Sequence, residues 1–320
     1  MATDGSATGT AGTGAQARTA IDDARPMPVS AAALATFLCC LWGLGQVAIK
    51  VANAGISPIL HAGLRSVGAT ALLLGWIGLR GIPVFRRDGT LPAGILAGVL
   101  FGTEFICIYI GMNFTEVARA TLMIYCAPFF VAALAHWLVP NDRLTPARSI
   151  GLVAAFAGVV AAFGDRVAAP DAAGLVGDLL CMLGAFFWGA TTIVIKTTRL
   201  RGALPEKNLL YQLGVSAVML VAASMLVGEP GLFAPSPLVW TALAYTTIVV
   251  AGSSYLAWFW LVSRYRATTL HAFTFLTPVA GVFFAHLLLG EPITPGLGIG
   301  LVLIAAGIVL VNREPKAKAG

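Results

Sequence analysis

The fold of this chain is decided by residues 268–312, which read T-T-L-H-A-F-T-F-L-T-P-V-A-G-V-F-F-A-H-L-L-L-G-E-P-I-T-P-G-L-G-I-G-L-V-L-I-A-A-G-I-V-L-V-N. Two apolar runs flank a short break at Gly290, Glu291 and Pro292. Each run is long enough to cross the ~30 Å hydrocarbon core of a bilayer as a helix. The stretch therefore predicts a membrane helical hairpin.

The same pattern occurs earlier in the chain, over residues 118–163. Shifts of 150 and then 149 residues superimpose identical landmarks, which are Pro128 on Pro278, Ala135 and His136 on Ala285 and His286, Thr145 and Pro146 on Thr294 and Pro295, and Gly151 and Gly158 on Gly300 and Gly307. A shift of 146 residues likewise places Trp42 and Gly43 on Trp188 and Gly189. Because these landmarks recur in order, the sequence predicts a duplicated unit.

Composition places the chain among membrane proteins. Its 320 residues are 58% hydrophobic and only 11% charged, with a mean hydropathy of +0.87. A soluble domain of this length needs more charge to cover its surface. The net charge of +6 comes without a basic run, so no nucleic-acid partner is expected. The five cysteines lie in apolar runs without metal-ligand spacing, and we predict neither a metal site nor a disulfide framework.

Ten spans of membrane-crossing length follow a polar N-terminal segment. The segment, residues 1–27, lacks apolar periodicity and is predicted to be a disordered tail. The predicted spans are residues 30–50, 58–80, 92–112, 117–139, 144–164, 174–196, 208–227, 237–262, 268–289 and 294–312. They divide into two five-helix repeats, residues 28–165 and 174–313, so the predicted fold class is an all-α integral membrane protein.

The distribution of basic residues predicts the orientation. With the N-terminus inside, the cytoplasmic segments hold all but four of the 20 lysine and arginine residues, the four being Lys50, Arg65, Arg119 and Arg166. Cytoplasmic loops carry such an excess. We therefore predict a multi-pass protein of the plasma (inner) membrane with both termini in the cytoplasm.

The odd number of spans in each repeat has a structural consequence. The second copy must enter the membrane in the opposite orientation to the first. Inverted repeats are a common plan of secondary transporters, in which a site near the midplane is exposed alternately to the two sides. The sequence thus predicts a transporter with a central cavity between its halves.

The chain resembles the drug/metabolite transporter superfamily over residues 30–312, and most closely its EamA-like branch. The resemblance rests on ten spans in two halves, a Trp-Gly near the first helix of each half, a proline in the fourth helix of each half, and the stretch around Gly290 and Glu291 with the spacing from Gly300 to Gly307. Arg65 looks like the arginine of the family's second span. The resemblance implies an inner-membrane carrier of small organic molecules, often an exporter of amino acids, metabolites or drugs.

Arg65 and Glu104 are the charged residues expected inside the membrane. A charge at mid-helix costs ~2.5–3.5 kcal/mol on insertion scales, so it needs a partner or water. Counted along their helices, both lie ~10–13 Å below the same surface, and we predict that they pair or share one aqueous cavity, with His61 one turn outward. Arg65 would hold an anionic group of the solute and Glu104 would exchange protons. A purely structural ion pair is the alternative.

Pro128 and Pro278 are predicted to kink spans four and nine. Each removes one helical hydrogen bond, which frees a carbonyl at Ile124 or Thr274. Hydroxyls of Thr274 and Tyr125 could satisfy such groups beside a wet cavity. We interpret the two prolines as hinges that line the solute path, although proline kinks also occur in membrane helices without such a role.

Spans seven and eight carry the remaining candidate site residues. Tyr211 is the repeat equivalent of Arg65 by the 146-residue shift, and Gln212 follows it. Tyr255 and Trp258 lie at mid-depth in span eight. All four are predicted to contact solute, with helix packing as the alternative.

These features favour a secondary transporter of small organic solutes, most simply an exporter that works by alternating access. An uptake permease of the same fold and a membrane sensor or scaffold without transport remain alternatives. No enzyme signature or nucleotide-binding motif is present, and no cofactor is expected. The expected partners are a small solute, the lipid bilayer and possible coupling protons, in a monomer or homodimer.

Overall fold

The structure, a computed structural model, describes residues 27–164, 171–290 and 295–312. Within them, ten helices are long and apolar enough to cross a membrane: α1 (Val29–Ala52), α2 (Pro58–Arg80), α3 (Leu91–Gly111), α4 (Val117–Leu138), α5 (Pro146–Phe163), α6 (Ala172–Thr197), α7 (Pro205–Val227), α8 (Pro237–Arg264), α9 (Ala267–Leu289) and α10 (Pro295–Asn312). The predicted all-α fold with ten spans is confirmed. Residues 1–26 of the predicted tail, and Glu291 in the predicted hairpin turn, lie outside the described residues.

Local sequence sets where the helices begin and end. Pro58, Pro146 and Pro237 stand at the first turns of α2, α5 and α8, where proline forfeits no helical hydrogen bond. The Thr145 hydroxyl accepts a hydrogen bond from the backbone N–H of Arg148 and caps α5. Gly81 ends α2 in the left-handed conformation, with φ of 60°, which a residue with a Cβ adopts only under strain.

Helices α4 and α9 are interrupted where the prolines predict it. α4 is broken at Tyr125 and Cys126, just before Pro128. α9 passes through a 3₁₀ turn at Phe273–Phe275, just before Pro278. The predicted kinks are confirmed in position, because each proline removes the hydrogen bond to the carbonyl four residues earlier. Their service as hinges stays a prediction.

Helix α8 contains a π-helical segment that the sequence did not reveal. Pro237–Tyr245 and Tyr255–Arg264 are α-helical, and Thr246–Ser254 between them is wound as a π-helix. π-Helical turns are rare and occur often at functional sites. The segment immediately precedes Tyr255, one of the predicted site residues.

Helices α5 and α10 pack closely through glycines at the landmarks of the duplication. An added Cβ at Gly151 would lie 2.7 Å from the Gly307 carbonyl oxygen, and one at Gly158 would lie 2.6 Å from that of Gly300. The two helices therefore run antiparallel. The first glycine of α5 thus meets the second glycine of α10, and the second meets the first. A twofold axis that exchanges the two helices would give this pairing.

Other helix pairs follow the same rule. Gly43 of α1 packs against Ala280 of α9, and Gly189 of α6 packs against Phe130 of α4. Exchanging the first five helices with the last five turns one of these contacts into the other. The pair α2 and α7 exchanges with itself, and there Ser216 donates a hydrogen bond to Ser66 over 3.2 Å.

Polar contacts hold the ends of α2 and α7. Beyond α7, the Glu229 carboxylate accepts hydrogen bonds from the first backbone N–H groups of α2, at Ile59 and Leu60. Such an anion suits the positive end of the helix dipole. At the opposite end of the pair, Asp88 accepts from the Lys207 ammonium at 2.8 Å. That bond, with one from Thr90, holds the pKa of Asp88 below its usual range.

Candidate functional site

Arg65 is a buried cation inside α2. Its side chain is among the largest of the fully buried ones, and its Cζ lies 4.5 Å from the Phe105 ring centroid and 6.0 Å from that of Tyr255. Both distances are in the range of cation–π attraction. In the described part of the chain, Nε and Nη2 of Arg65 have no hydrogen-bond partner. Since a buried charge needs such partners, the guanidinium is available to an anionic group.

Glu104 lies beside Arg65 on α3. It is buried, and the charge of Arg65 acts on it. Its Oε2 atom likewise has no hydrogen-bond partner among the described residues. The guanidinium and the carboxylate are thus near each other, but Nε and Nη2 of Arg65 form no hydrogen bond with Oε2 of Glu104. That the two side chains pair or share one aqueous cavity stays a prediction.

Five aromatic side chains from five helices form a connected series, which we call the aromatic ring. Trp42 of α1 and Trp258 of α8 have ring centroids 4.9 Å apart, and Trp258 and His271 of α9 lie 5.3 Å apart. His271 is 6.1 Å from Trp188 of α6, which is 6.5 Å from Tyr125 of α4. All four contacts are edge-to-face, the arrangement that ring quadrupoles favour.

Gln46 closes the aromatic ring. It lies one turn beyond Trp42 on α1, and its Nε2 donates a hydrogen bond of 3.1 Å to the Tyr125 hydroxyl. It also stands opposite Gly281 of α9, where a Cβ would collide with its Oε1 atom. Gln46 is nevertheless exposed. A glutamine that faced hydrocarbon would be costly, which makes this position between three helices a candidate opening to water.

Tyr255 connects the aromatic ring to Arg65. Its ring lies 5.9 Å from Trp42 and 6.1 Å from Phe101 of α3, and it interacts directly with the Arg65 side chain. The last residue of the π-helical segment fixes Trp42, because the indole N–H donates to the Ser254 hydroxyl over 2.8 Å. The π-helical segment thus sets the position of two aromatic walls. We call Arg65, Glu104, Phe105, Tyr255, Gln46 and the aromatic ring the central site.

Three of the predicted site residues join Arg65 and Glu104 there, namely Tyr125, Tyr255 and Trp258. Thr274 is buried beside the aromatic ring, and its hydroxyl donates to the backbone carbonyl of His271 at 2.7 Å. It therefore supports the turn that carries His271. Its predicted contact with solute has no geometric counterpart.

His61 is buried in a bonding arrangement of its own. Nδ1 lies 3.0 Å from the Asn53 amide oxygen and Nε2 lies 3.1 Å from the Thr246 hydroxyl. Both ring nitrogens are therefore engaged, and His61 joins α2 to the start of the π-helical segment. It lies one turn from Arg65 as predicted, but these bonds serve the helix contact.

Tyr211 packs near the start of α3, and Gln212 is bonded within α7 while its Oε1 atom has no hydrogen-bond partner in the described part of the chain. The Tyr211 hydroxyl is 3.0 Å from that of Thr90, and its ring covers Gly94 near the start of α3. Gln212 is buried, and its Nε2 donates to the Asn208 carbonyl on its own helix. Both side chains take part in packing α7 against its neighbours. Their predicted contact with solute receives no support from this placement.

Sequence reasoning does not identify five members of the central site: Trp42, Gln46, Phe105, Trp188 and His271. The duplicated Trp-Gly landmarks are a signal for Trp42 and Trp188, although the repeat alone does not assign either residue to the site. Gln46 and His271 gave no such signal, because their importance arises from neighbours on other helices.

The fold and the central site define a multi-pass membrane protein with polar groups gathered between its helices. A family model described as the EamA-like transporter family matches the chain twice, over residues 29–164 and 175–313. The matches cover most of the chain, which therefore belongs to the EamA-like transporter family.

Relatives of known sequence agree with this assignment. The chain is 27% identical to the uncharacterized transporter YoaV of Bacillus subtilis, with 84% of this chain and 92% of that protein covered. It is 26% identical to a probable amino-acid metabolite efflux pump of Salmonella typhimurium, with 87% and 93% covered. A crystal structure matches with a TM-score of 0.76 at 20% identity, over 88% of this chain and 98% of the other, and supports the fold.

Proposed function

We propose that this protein is a secondary transporter that exports small zwitterionic solutes, such as neutral amino acids, across the plasma membrane by alternating access. The observation that carries the proposal is the central site itself. A buried guanidinium and a buried carboxyl group, each with unsatisfied atoms, lie against aromatic walls. The guanidinium suits the carboxylate of a zwitterion, and the carboxyl group suits its ammonium.

The aromatic walls suit the apolar part of such a solute. Trp42 and Tyr255 meet edge to face beside Arg65. Solute sites are usually apolar, with a few polar groups that fix orientation. The relative from Salmonella typhimurium named as a probable amino-acid metabolite efflux pump supports the same class of solute.

Alternating access is proposed because the two five-helix halves, residues 28–165 and 174–313, are expected to have opposite orientations. The crossed glycine contacts of α5 with α10, and the exchangeable contacts around Gly43 and Gly189, support this arrangement. The aromatic ring draws on helices of both halves, where such transporters hold their solute. Both termini are proposed to be cytoplasmic, as the distribution of basic residues indicates.

Glu104 is proposed to couple transport to protons. A buried carboxylate is costly unless it is paired or protonated, and intramembrane carboxyl groups occur in proton relays. When solute ammonium leaves Glu104, a proton taken up there restores neutrality. Export of solute and entry of protons would then alternate at the same group.

Counterflow in proteoliposomes tests the function. Vesicles with the purified full chain, preloaded with a mixture of unlabelled neutral amino acids, should accumulate a labelled member of that mixture. Arg65→Gln should reduce this exchange at least tenfold, because removing a charge-assisted hydrogen bond costs ~1.5–3 kcal/mol. No exchange by the wild-type protein for any neutral amino acid would contradict the proposed solute class.

Glu104→Gln separates solute exchange from proton coupling. The amide keeps the size of the side chain but cannot carry a proton, so we expect uphill transport driven by a pH gradient to be lost. Exchange without a gradient should persist more fully than in Arg65→Gln. Unchanged proton-driven transport by Glu104→Gln, at normal protein level, would show that the coupling group is elsewhere.

A further inference from the structure

An open cavity of about 600 Å³ lies at the junction of α4 and α5, away from the central site. Three arginines line it: Arg143, Arg148 and Arg266. They come from the α4–α5 loop, from α5 and from the loop before α9. Three cations on separate segments around one cavity are a suitable surface for a phosphate group.

The chain holds the cavity in shape with specific contacts. Asn141 turns the loop with a φ of 64°. Asp142 lies 3.5 Å from Nη1 of Arg148 and accepts a hydrogen bond from the backbone N–H of Thr268. Arg148 also donates to the Arg143 carbonyl at 2.8 Å. Among the described residues, Asp142 is a carboxylate bonded within this group, and three arginines line the same cavity.

The outer edge of the cavity is apolar and exposed. Trp137 is 83% exposed and Leu138 is 55% exposed, and both line the cavity. They are the last residues of α4, where tryptophan commonly lies at the level of lipid headgroups. His136 packs edge to face on Trp137, and its Nδ1 accepts a hydrogen bond from the backbone N–H of Leu144. The cavity therefore joins a basic interior to an apolar edge.

We propose that this cavity binds the phosphate headgroup of an anionic phospholipid, with the acyl chains along Trp137 and Leu138. A soluble phosphate compound shares the charge but has no use for the exposed apolar edge. The positive-inside distribution places this end at the cytoplasmic leaflet, where anionic lipids attract basic residues close to the surface. The inference is independent of the central site and of the proposed solute.

Native mass spectrometry of the purified full chain tests the site. We compare binding of phosphatidylglycerol and phosphatidylcholine with identical acyl chains. The double variant Arg143→Gln/Arg266→Gln should bind phosphatidylglycerol about 30-fold more weakly, the factor expected from two basic residues near an anionic headgroup. The control Arg86→Gln/Arg87→Gln removes equal charge from the exposed α2–α3 loop and should change binding less than twofold.

Equal loss in the two double variants would overturn the site, because only general charge attraction would then be at work. If the double variant does not fold, Arg143→Gln alone decides. Arg143 is exposed, and about fivefold weaker binding is expected from one basic residue, whereas unchanged binding would count against the site. In a separate arm, millimolar inorganic phosphate should not displace the lipid. Complete displacement would overturn the lipid assignment in favour of a soluble anion.

Discussion

At the scale of single residues, the proposed binding of solute depends on the surroundings of Arg65. A guanidinium carries five N–H donors, and Nε and Nη2 remain without partners in the described part of the chain. Phe105 and Tyr255 offer ring faces that attract the charge, and these contacts leave Nε and Nη2 without partners. The cation is therefore held in place while its donors stay available. A residue with a purely structural role would be expected to have its donors satisfied.

Two matched tyrosine substitutions test which residues belong to the site. Tyr255→Phe removes a hydroxyl beside Arg65, and we expect the KM for exported solute to rise about two- to tenfold, the effect of one hydrogen bond. Tyr211→Phe removes the contact with Thr90 and should leave KM unchanged while lowering the melting temperature. The measurement is initial exchange rate against solute concentration. A larger KM effect from Tyr211→Phe would contradict the placement of the site.

Sequence reasoning identified the charged residues of the site more readily than their neighbours. Arg65 and Glu104 were predictable because charge within an apolar span is costly and therefore conspicuous. Tyr211 is the repeat equivalent of Arg65, and its ring lies over Gly94 near the start of α3. Since α2 and α7 run antiparallel, with Ser66 against Ser216, the residues of α7 near Arg65 are close to Ser216. An equivalent residue in an antiparallel partner lies at a different depth.

At the scale of helices, glycines determine how closely the elements approach. The contacts of α5 with α10 place backbone against backbone at Gly151 and Gly307, and again at Gly158 and Gly300. Membrane helices gain little from burying apolar side chains against each other instead of lipid, so close packing of small residues is a main source of their association. This helix pair is therefore expected to be a rigid support for the helices around the central site.

A pair of alanine substitutions within α10 tests this support. A Cβ at Gly300 would lie 2.5 Å from the Gly158 carbonyl oxygen, whereas at Gly298 nothing lies within 4 Å. Gly300→Ala should destabilise the protein by ~1–3 kcal/mol through overpacking. Gly298→Ala should have no such cost. Thermal unfolding in detergent, followed by intrinsic fluorescence, measures both. Equal melting temperatures would show that the helices separate without cost.

The helix boundaries and the proline breaks were predictable, but the π-helical segment was not. A long apolar run bounded by proline or glycine specifies a span by length alone. Pro128 and Pro278 specify breaks because they cannot donate a hydrogen bond. In Thr246–Ser254 no residue forces the wider winding. It is accompanied by contacts with other helices, including His61 with Thr246 and Trp42 with Ser254.

At the scale of the whole molecule, the central site lies where helices from both proposed halves meet. The aromatic ring takes Trp42 and Tyr125 from the first five helices and Trp188, Trp258 and His271 from the last five. A relative movement of the halves would therefore break or re-form contacts between these five aromatic side chains. Gln46 is exposed between α1, α4 and α9, and we propose that the site opens there. The proposed transport requires that this one site be exposed to the two sides of the membrane in turn.

Thiol labelling at position 46 tests that claim most directly, without knowledge of the solute. Gln46→Cys is introduced into the full chain after replacement of its five native cysteines, and a membrane-impermeant maleimide is added to right-side-out and inside-out vesicles. Phe233→Cys and Arg87→Cys, at exposed positions in the loops at opposite ends of the bundle, serve as controls that label from one side each. Alternating access predicts labelling of Gln46→Cys in both vesicle orientations, and labelling from a single side would refute alternating access.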